Sequence, residues 1–236
     1  MEEITSRKSD HIRLCLEKSI VSDYNYWDDI KVFGEDIPDF SFDEIDTSCL
    51  IFGKRLKAPI IISAITGGFE QADVINQRLA ITAERYGIGL GVGSQRCALE
   101  NSACAPSFNI GAPQIVQPES ELVCSGFWKK SVEGVTACPL ILKETGSGLS
   151  RKTAEKAHAA GFIGFDTGGL SGTSFPTVEY YRAERVNSSL HMRLEKLLWD
   201  WGIPAPLAIS ECNHLGLPVI ATGGIRNGLD ITRSYS

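Results

Sequence analysis

The chain has 236 residues, of which 43% are hydrophobic and 22% are charged, with a formal net charge of −6 at pH 7. These values predict a soluble globular protein with a single domain over residues 1–236, and they exclude a broad basic surface for nucleic acid or anionic membrane. An anionic ligand must therefore be held by a local cluster of Lys and Arg. The seven cysteines show no Cys-x-x-Cys spacing and the N-terminus has no apolar signal core, so we expect a reduced, cytoplasmic setting.

The first 56 residues form a predicted N-terminal extension. Ile12, Leu16 and Ile20 recur at helical spacing, which predicts a short amphipathic helix with these side chains on one face. An irregular acidic stretch with aromatic residues follows over residues 24–48.

Strand and helix patterns alternate from residue 57 onward. Gly87 is expected to end one helix, and Ser150 is expected to begin another as its N-cap. A long helical region is expected between Val178 and Leu197. The short apolar runs typical of strands buried on both faces cover residues 59–63, 88–92, 139–144, 162–166 and 217–221. This alternation predicts βαβ units and a parallel sheet.

Each predicted strand is followed by a loop rich in Gly, Ser and Thr, such as residues 145–148. Parallel strands bring such loops to one edge of the sheet, where α/β folds bind their ligands. Rows of backbone N–H groups in glycine-rich loops suit a phosphate. The sequence therefore predicts an anion site at this edge.

The pattern is interrupted in two places. In the middle of the chain, the stretch between Arg96 and Asn109 leaves no room for a full helix and a strand, and the stretch between Val116 and Cys138 shows one possible helix but no apolar strand. At the other place, only a short segment follows Arg226. About six strand candidates are present where a closed barrel needs eight. We therefore predict the α/β class and a (β/α)8 TIM barrel that lacks its strand 4 and strand 8 regions.

A series of short motifs occurs in order along the chain and resembles the FMN-dependent type 2 isopentenyl-diphosphate isomerase family. The motifs are Arg7-Lys8 with Asp10-His11-Ile12, Ser63-Ala64-Ile65-Thr66-Gly67-Gly68, Gly93-Ser94-Gln95-Arg96, Asn109-Ile110-Gly111-Ala112-Pro113-Gln114, Lys143-Glu144-Thr145-Gly146-Ser147-Gly148, Gly172-Thr173-Ser174, Trp201-Gly202-Ile203-Pro204 and Gly223-Gly224-Ile225-Arg226. The resemblance implies a (β/α)8 flavoprotein that converts isopentenyl diphosphate to dimethylallyl diphosphate. It further implies FMN that is reduced by NADPH, and Mg²⁺ that binds with the substrate diphosphate.

Site residues follow from the resemblance, motif by motif. The substrate ligands it implies are Arg7, Lys8, His11, Ser94, Gln95 and Arg96. The FMN ligands it implies are Ala64, Ile65, Thr66, Ser94, Asn109, Lys143, Thr173, Gly224, Ile225 and Arg226. Among these, Lys143 corresponds to the lysine beside the N1–O2 edge of the flavin, where a cation stabilises the anionic reduced ring.

The chain departs from the family between Gln114 and Pro139. The family has a strand there with the Gln at the reacting carbons and the Glu that binds magnesium, and this sequence has no counterpart of either. No catalytic residue and no metal ligand is therefore assigned. The segment after Asp230 also differs from the family's last helix and strand.

Three functions remain open at this point. The chain is an isomerase of impaired activity, a non-catalytic remnant that retains flavin or phosphate binding, or an FMN-dependent 2-hydroxy-acid oxidoreductase of the same barrel class. The third needs a histidine base and a nearby arginine, and His214 has no neighbouring Arg in the sequence. Assembly into a homo-oligomer is left open.

Overall fold

The structure is a computed structural model, and it describes residues 2–34, 36–64, 67, 71–93 and 139–235. The chain divides into two compact units. The first combines Met1–Val32 with Leu122–Ser236, and the second covers Phe33–Glu121. The single domain and the extension over residues 1–56 stay predictions.

The second unit contains a hairpin and a parallel strand pair. Strands β1 (Cys49–Ile51) and β2 (Lys54–Leu56) pair antiparallel around Phe52 and Gly53, which both have positive φ angles as a tight hairpin turn requires. Strands β3 (Ile61–Ile62) and β4 (Gly89–Leu90) pair in parallel and are joined by helix α2 (Ala72–Tyr86). A short 3-10 helix covers Phe42–Glu44.

Gly87 ends α2 as predicted. Its φ of 63° is the left-handed conformation that favours glycine, and its N–H is directed at the carbonyl groups of Ala83 and Glu84. A Cβ at this position would also lie 2.7 Å from the Lys57 side chain. Ala80, Ala83 and Leu90 form the buried cluster that holds α2 against the strand pair.

The first unit contains a three-stranded parallel sheet in the order β5–β6–β7. Its strands are β5 (Ile141–Lys143), β6 (Gly164–Asp166) and β7 (Val219–Ile220). Its helices are α1 (Glu2–Glu17), α3 (Arg151–Ala159), α4 (Phe175–Arg185), α5 (Ser189–Leu197), α6 (Ala205–Asn213) and α7 (Gly228–Arg233), with a 3-10 helix at Tyr26–Asp29. The α/β class and the parallel strand pairing are confirmed.

Three details of the helices differ from the prediction or were missed. The long helical region is two helices, because Asn187 adopts a φ of 53° between α4 and α5. Helix α6 begins after Pro204, which sequence analysis treated only as part of a motif. Leu16 was expected on the buried face of α1 but is 83% exposed. Leu14 is buried instead and clusters with Val178 of α4.

The N-cap prediction for α3 is confirmed. The Ser150 hydroxyl accepts a hydrogen bond from the Thr153 amide at 3.3 Å, which satisfies one of the amide groups left free at a helix start. In the described part of the chain, none of the helices combines the length and apolarity needed to cross a bilayer.

The core of the first unit lies between the sheet and helices α3 and α6. Its buried members are Leu142, Leu149, Ala154, Ala157, Phe165 and Cys212. Burial raises the pKa of the Cys212 thiol to about 11, and the neighbouring Glu211 carboxylate adds to the increase.

We expect Cys212 to resist alkylation in the folded protein at pH 8. Only about one thiol in a thousand would be ionised at that pH, and the folded core blocks access of the reagent. Iodoacetamide labelling followed by peptide mass spectrometry measures this, with the exposed Cys15 as the internal comparison. Unfolding in guanidinium should make the two sites react alike. Equal labelling of Cys212 and Cys15 in the native protein would contradict the described core.

Candidate functional site

The carboxyl ends of β5, β6 and β7 lie at one edge of the sheet, and the loops that follow them are in contact. A Cβ built on Gly146 would lie 3.2 Å from the carbonyl oxygen of Thr173. A Cβ built on Gly172 would lie 2.5 Å from the amide nitrogen of Gly224. Glycine is therefore needed where the loop after β6 approaches the loop after β7. We call this region the loop edge, defined by residues 144–149, 167–174 and 221–227.

A buried polar network crosses the three strands beneath the loop edge. Lys143 at the end of β5 donates to Asp166 Oδ2 at the end of β6, with an Nζ–O distance of 2.7 Å. Their side chains are 10% and 2% exposed, respectively. The hydroxyl of Thr222 donates to the other oxygen, Asp166 Oδ1. The same hydroxyl accepts from the Gly168 amide at 2.7 Å.

The Lys143 side chain is thus largely buried, and its ammonium group is held in one place by Asp166. The sequence prediction that it is more than a surface lysine at a strand end is supported by this burial. Asp166 and Thr222 were not identified from the sequence. The signal was present, because Asp166 ends an apolar strand that the parallel pairing places opposite Lys143.

The loop after β5 does not offer its amides to an external anion. The carboxylate oxygen Glu144 Oε2 accepts from the amides of Gly146, Ser147 and Gly148 at 2.7, 2.6 and 2.9 Å. Successive N–H groups of this kind form an anion-binding nest, and here the chain's own carboxylate fills it. In this loop the row of amides that the general pattern offers to an anion is therefore occupied from within the chain. An acidic residue directly before the loop was the overlooked signal.

Two hydrogen bonds of Arg226 hold the turn after β7. Gly223 and Gly224 have φ angles of 105° and 76°, which favour glycine. The guanidinium of Arg226 donates to the Ser171 carbonyl at 3.0 Å, and the Arg226 amide donates to Asp230 at 3.1 Å. Asp230 is itself 1% exposed. This turn is therefore preformed, with the exposed Thr173 on the adjoining loop.

The N-terminal segment also contacts the loop edge, which sequence analysis did not anticipate. The Ser22 amide donates to the Gly172 carbonyl, and the Ser174 amide donates to the Ile20 carbonyl, each at 2.8 Å. The indole of the fully buried Trp27 donates to the Gly223 carbonyl at 2.8 Å. Residues 20–27 thereby fix the loops after β6 and β7.

The predicted diphosphate ligands at the N-terminus lie on α1. Arg7 and Lys8 are within this helix, and their side chains are outside the described part of the structure. His11 faces α4, where its Nε2 lies 3.6 Å from Glu179 Oε1 and its ring meets Phe175 edge-on. That distance suits an ion pair but exceeds a hydrogen bond. The role of His11 as a substrate ligand stays a prediction.

The other predicted FMN ligands belong to the second unit. Ala64 is described and lies close to Gly91, which follows β4, since a Cβ on Gly91 would lie 2.8 Å from Ala64 Cβ. The remaining predicted ligands lie outside the described residues, as does the expected strand 4 region; they are Ile65, Thr66, Ser94, Gln95, Arg96 and Asn109.

Comparison with solved structures shows the fold. The structure matches mandelate oxidase with (S)-4-hydroxymandelic acid at a TM-score of 0.54, with 13% identity, over 98% of this chain and 81% of the other. It matches mandelate oxidase with benzoyl-formic acid at a TM-score of 0.53, with 14% identity, over 92% and 72%.

Comparison with curated sequences gives much higher identity. A protein of Picrophilus torridus is 38% identical and one of Thermoplasma acidophilum is 38% identical, each with 80% of its length covered. A protein of Archaeoglobus fulgidus is 34% identical over 98% of this chain and 79% of its own length. All three are named isopentenyl-diphosphate delta-isomerase. No family model matches the chain.

The alignment with the Picrophilus torridus protein is longer than the chain itself. It spans 279 positions against 236 residues, so at least 43 positions of that relative have no counterpart here. The identity nevertheless extends over 98% of this chain. On this similarity, the chain belongs to the type 2 isopentenyl-diphosphate delta-isomerase family.

Proposed function

We propose that this chain serves isoprenoid biosynthesis as an isopentenyl-diphosphate isomerase of impaired activity, with FMN bound at the loop edge. The observation that carries the proposal is the position of Lys143. A family lysine expected beside the flavin is buried, paired with Asp166 and directed by it at the carboxyl ends of the parallel strands.

The described residues fit a flavin mononucleotide in chemical type. Lys143 offers a cation for the N1–O2 edge of the ring. Thr173 follows Gly172, which closely approaches the Gly224 amide, so a hydroxyl-bearing residue adjoins the turn proposed for the phosphate. Because the Arg226 amide and guanidinium already donate to Asp230 and the Ser171 carbonyl, Thr173 and the backbone of Gly224 and Ile225 would supply the phosphate contacts. FMN, once reduced by NADPH, would supply acid/base chemistry to the double-bond shift. The protein residues would hold the ring, keep a positive charge beside it and fix the phosphate end.

The substrate side of the proposal rests on Arg7, Lys8 and His11 with Ser94, Gln95 and Arg96. The cations among them, Arg7, Lys8 and Arg96, would offset the charge of the diphosphate, which the net charge of −6 repels. Mg²⁺ would bind with the diphosphate, and we assign no residue to it.

A non-catalytic role is the second candidate, and the unmatched alignment positions favour it. At least 43 positions within the alignment to the Picrophilus torridus relative have no counterpart here, which supports the absence of internal segments such as the predicted strand 4 region. Strand edges beside such gaps would be exposed hydrogen-bonding templates, so this candidate includes self-association.

The oxidoreductase alternative has less support. The similarity to mandelate oxidase concerns the fold. His214 lies at the end of α6, before β7, so it is at the opposite end of that strand from the loop edge. Its Nε2 lies 3.3 Å from Glu155 Oε1, and its Nδ1 lies 2.8 Å from the Glu211 carbonyl.

Flavin binding is the first test. We expect FMN fluorescence to be quenched saturably below about 1 mM FMN, with a dissociation constant at least about tenfold weaker than for the Picrophilus torridus relative, because at least 43 positions of that relative have no counterpart in this chain. Replacement Lys143→Met should weaken binding about tenfold further, since a charge-assisted contact is lost.

Lys152→Met is the matched control, because Lys152 is an exposed lysine on α3. Its affinity should stay within about twofold of the parent chain. An absence of saturable quenching in the parent chain would remove the proposed flavin site, whereas equal losses in the two variants would show that Lys143 has no special role.

A further inference from the structure

We propose that Asp166, supported by Thr222, is the positioning residue that directs the Lys143 ammonium toward the flavin. Asp166 acts through Lys143 and does not itself touch the ligand. This inference rests on the proposed flavin site and assigns a role to two residues that lie outside every motif of the resemblance.

The first support is the register of the sheet. Lys143 and Asp166 are directly paired on neighbouring parallel strands, and the Glu144 amide donates to the Asp166 carbonyl at 2.9 Å. The backbone therefore fixes the separation between the two side chains. A lysine has a long stem with many rotamers, so a defined direction requires a fixed acceptor. Asp166, 2% exposed, is such an acceptor.

The second support is that Asp166 is itself oriented. Its Oδ1 receives the hydroxyl of Thr222, which in turn receives the Gly168 amide at 2.7 Å. Because Oδ1 is engaged by Thr222, Oδ2 faces Lys143. The chain of contacts thus runs from the backbone of the β6 loop through Thr222 and Asp166 to the ammonium.

Positioning and simple charge compensation predict opposite changes in the preference for reduced over oxidised flavin when Asp166 is removed. If Asp166 only offset the charge of Lys143, its removal would leave a stronger cation, and the anionic reduced flavin would be bound more tightly relative to the oxidised form. If Asp166 holds Lys143 in place, its removal takes away the acceptor that sets the direction of the ammonium, and the preference for reduced flavin falls.

The experiment measures the midpoint potential of bound FMN together with the dissociation constant of oxidised FMN, which give the ratio of affinities for reduced and oxidised flavin. The variants are Asp166→Ala, Asp166→Asn, Lys143→Met and the pair Thr222→Val and Thr222→Ser. Asp46→Asn is the control, because Asp46 forms an exposed pair with Arg55. Each protein is first checked by thermal unfolding.

We expect the preference for reduced flavin to fall about tenfold in Asp166→Ala and in Lys143→Met, the size expected for one charge-assisted hydrogen bond. Asp166→Asn should recover most of it, because the amide oxygen still accepts from the ammonium. Thr222→Val should lose part of the preference, and Thr222→Ser, which keeps the hydroxyl, should not. Asp46→Asn should match the parent chain.

An increased preference in both Asp166→Ala and Asp166→Asn would overturn the positioning role and assign charge compensation instead. An unchanged preference in Asp166→Ala beside a loss in Lys143→Met would also overturn it while leaving the proposed flavin site intact. Should Asp166→Ala fail to fold, equal behaviour of Thr222→Val and Thr222→Ser decides against the proposal. Failure of the parent chain to bind FMN would overturn the flavin site first, and this inference with it.

Discussion

The chain is expected to convert isopentenyl diphosphate at least about a hundredfold more slowly than a chimera that carries the positions missing from the alignment. Arg7 and Lys8 can attract the diphosphate, but attraction that is equal in the ground and transition states does not lower the chemical barrier. Proton transfer needs the reacting carbons within about 3 to 3.5 Å of the acid/base atom, and a displacement of about 1 Å already costs on the order of a hundredfold. The family resemblance implies that a Gln and a Glu, which have no counterpart here, secure that placement.

Conversion of labelled isopentenyl diphosphate with FMN, NADPH and Mg²⁺ measures the effect. The chimera takes the positions without a counterpart from the Picrophilus torridus relative, which has at least 43 of them. Turnover of this chain within tenfold of the chimera would show that the absent residues are dispensable. Inactivity of both proteins would indicate that the fold does not accept the restored segments, and circular dichroism and unfolding curves would separate that case.

The second large effect is expected from Gly223→Ala, which should destabilise the first unit by about 3 kcal/mol or more. The φ of 105° at this position is unfavourable for alanine, and the new Cβ would overlap the backbone of Gly169. Relief of the overlap must separate the loops after β6 and β7. The carbonyl of Gly223 would then move away from the Trp27 indole that donates to it.

Urea unfolding followed by Trp fluorescence measures this loss, and the FMN dissociation constant should rise with it. Gly228→Ala is the matched control five residues along the chain. A Cβ on Gly228 meets nothing within 4 Å, and this glycine begins α7, so the control should change stability by no more than about 0.5 kcal/mol. Similar unfolding midpoints for the two variants would argue against the close contact of the two loops.

Local signals in the sequence predicted the helix ends that are marked by a capping residue. Gly87 and Ser150 mark helix ends because Gly87 permits a left-handed backbone and Ser150 offers a hydroxyl to a free amide of its own helix, and both effects are local. The division between α4 and α5 depends on Asn187, a residue that tolerates a positive φ but does not require it. The face of α1 was assigned wrongly because burial of Leu14 depends on α4, far along the chain.

Only the part of the candidate site that has a local signal could be predicted from the sequence. Lys143 was recognised from its motif and its place after an apolar run. Asp166 and Thr222 could be identified as its neighbours only from the pairing of β5, β6 and β7. Glu144 was overlooked because glycine-rich loops were expected to bind an external anion, and the competing internal carboxylate becomes visible only in the loop geometry.

The contact between Trp27 and Gly223 has a consequence for synthesis of the protein. The two residues are 196 positions apart, and the first unit is built from the two ends of the chain. At typical translation rates of about 5–20 residues per second, the N-terminal segment would wait on the order of 10 to 40 seconds for its partner to be made. Residues 20–27, which include the apolar side chains of Ile20 and Trp27, remain uncovered during that interval. This segment is therefore where a nascent chain would first depend on chaperones.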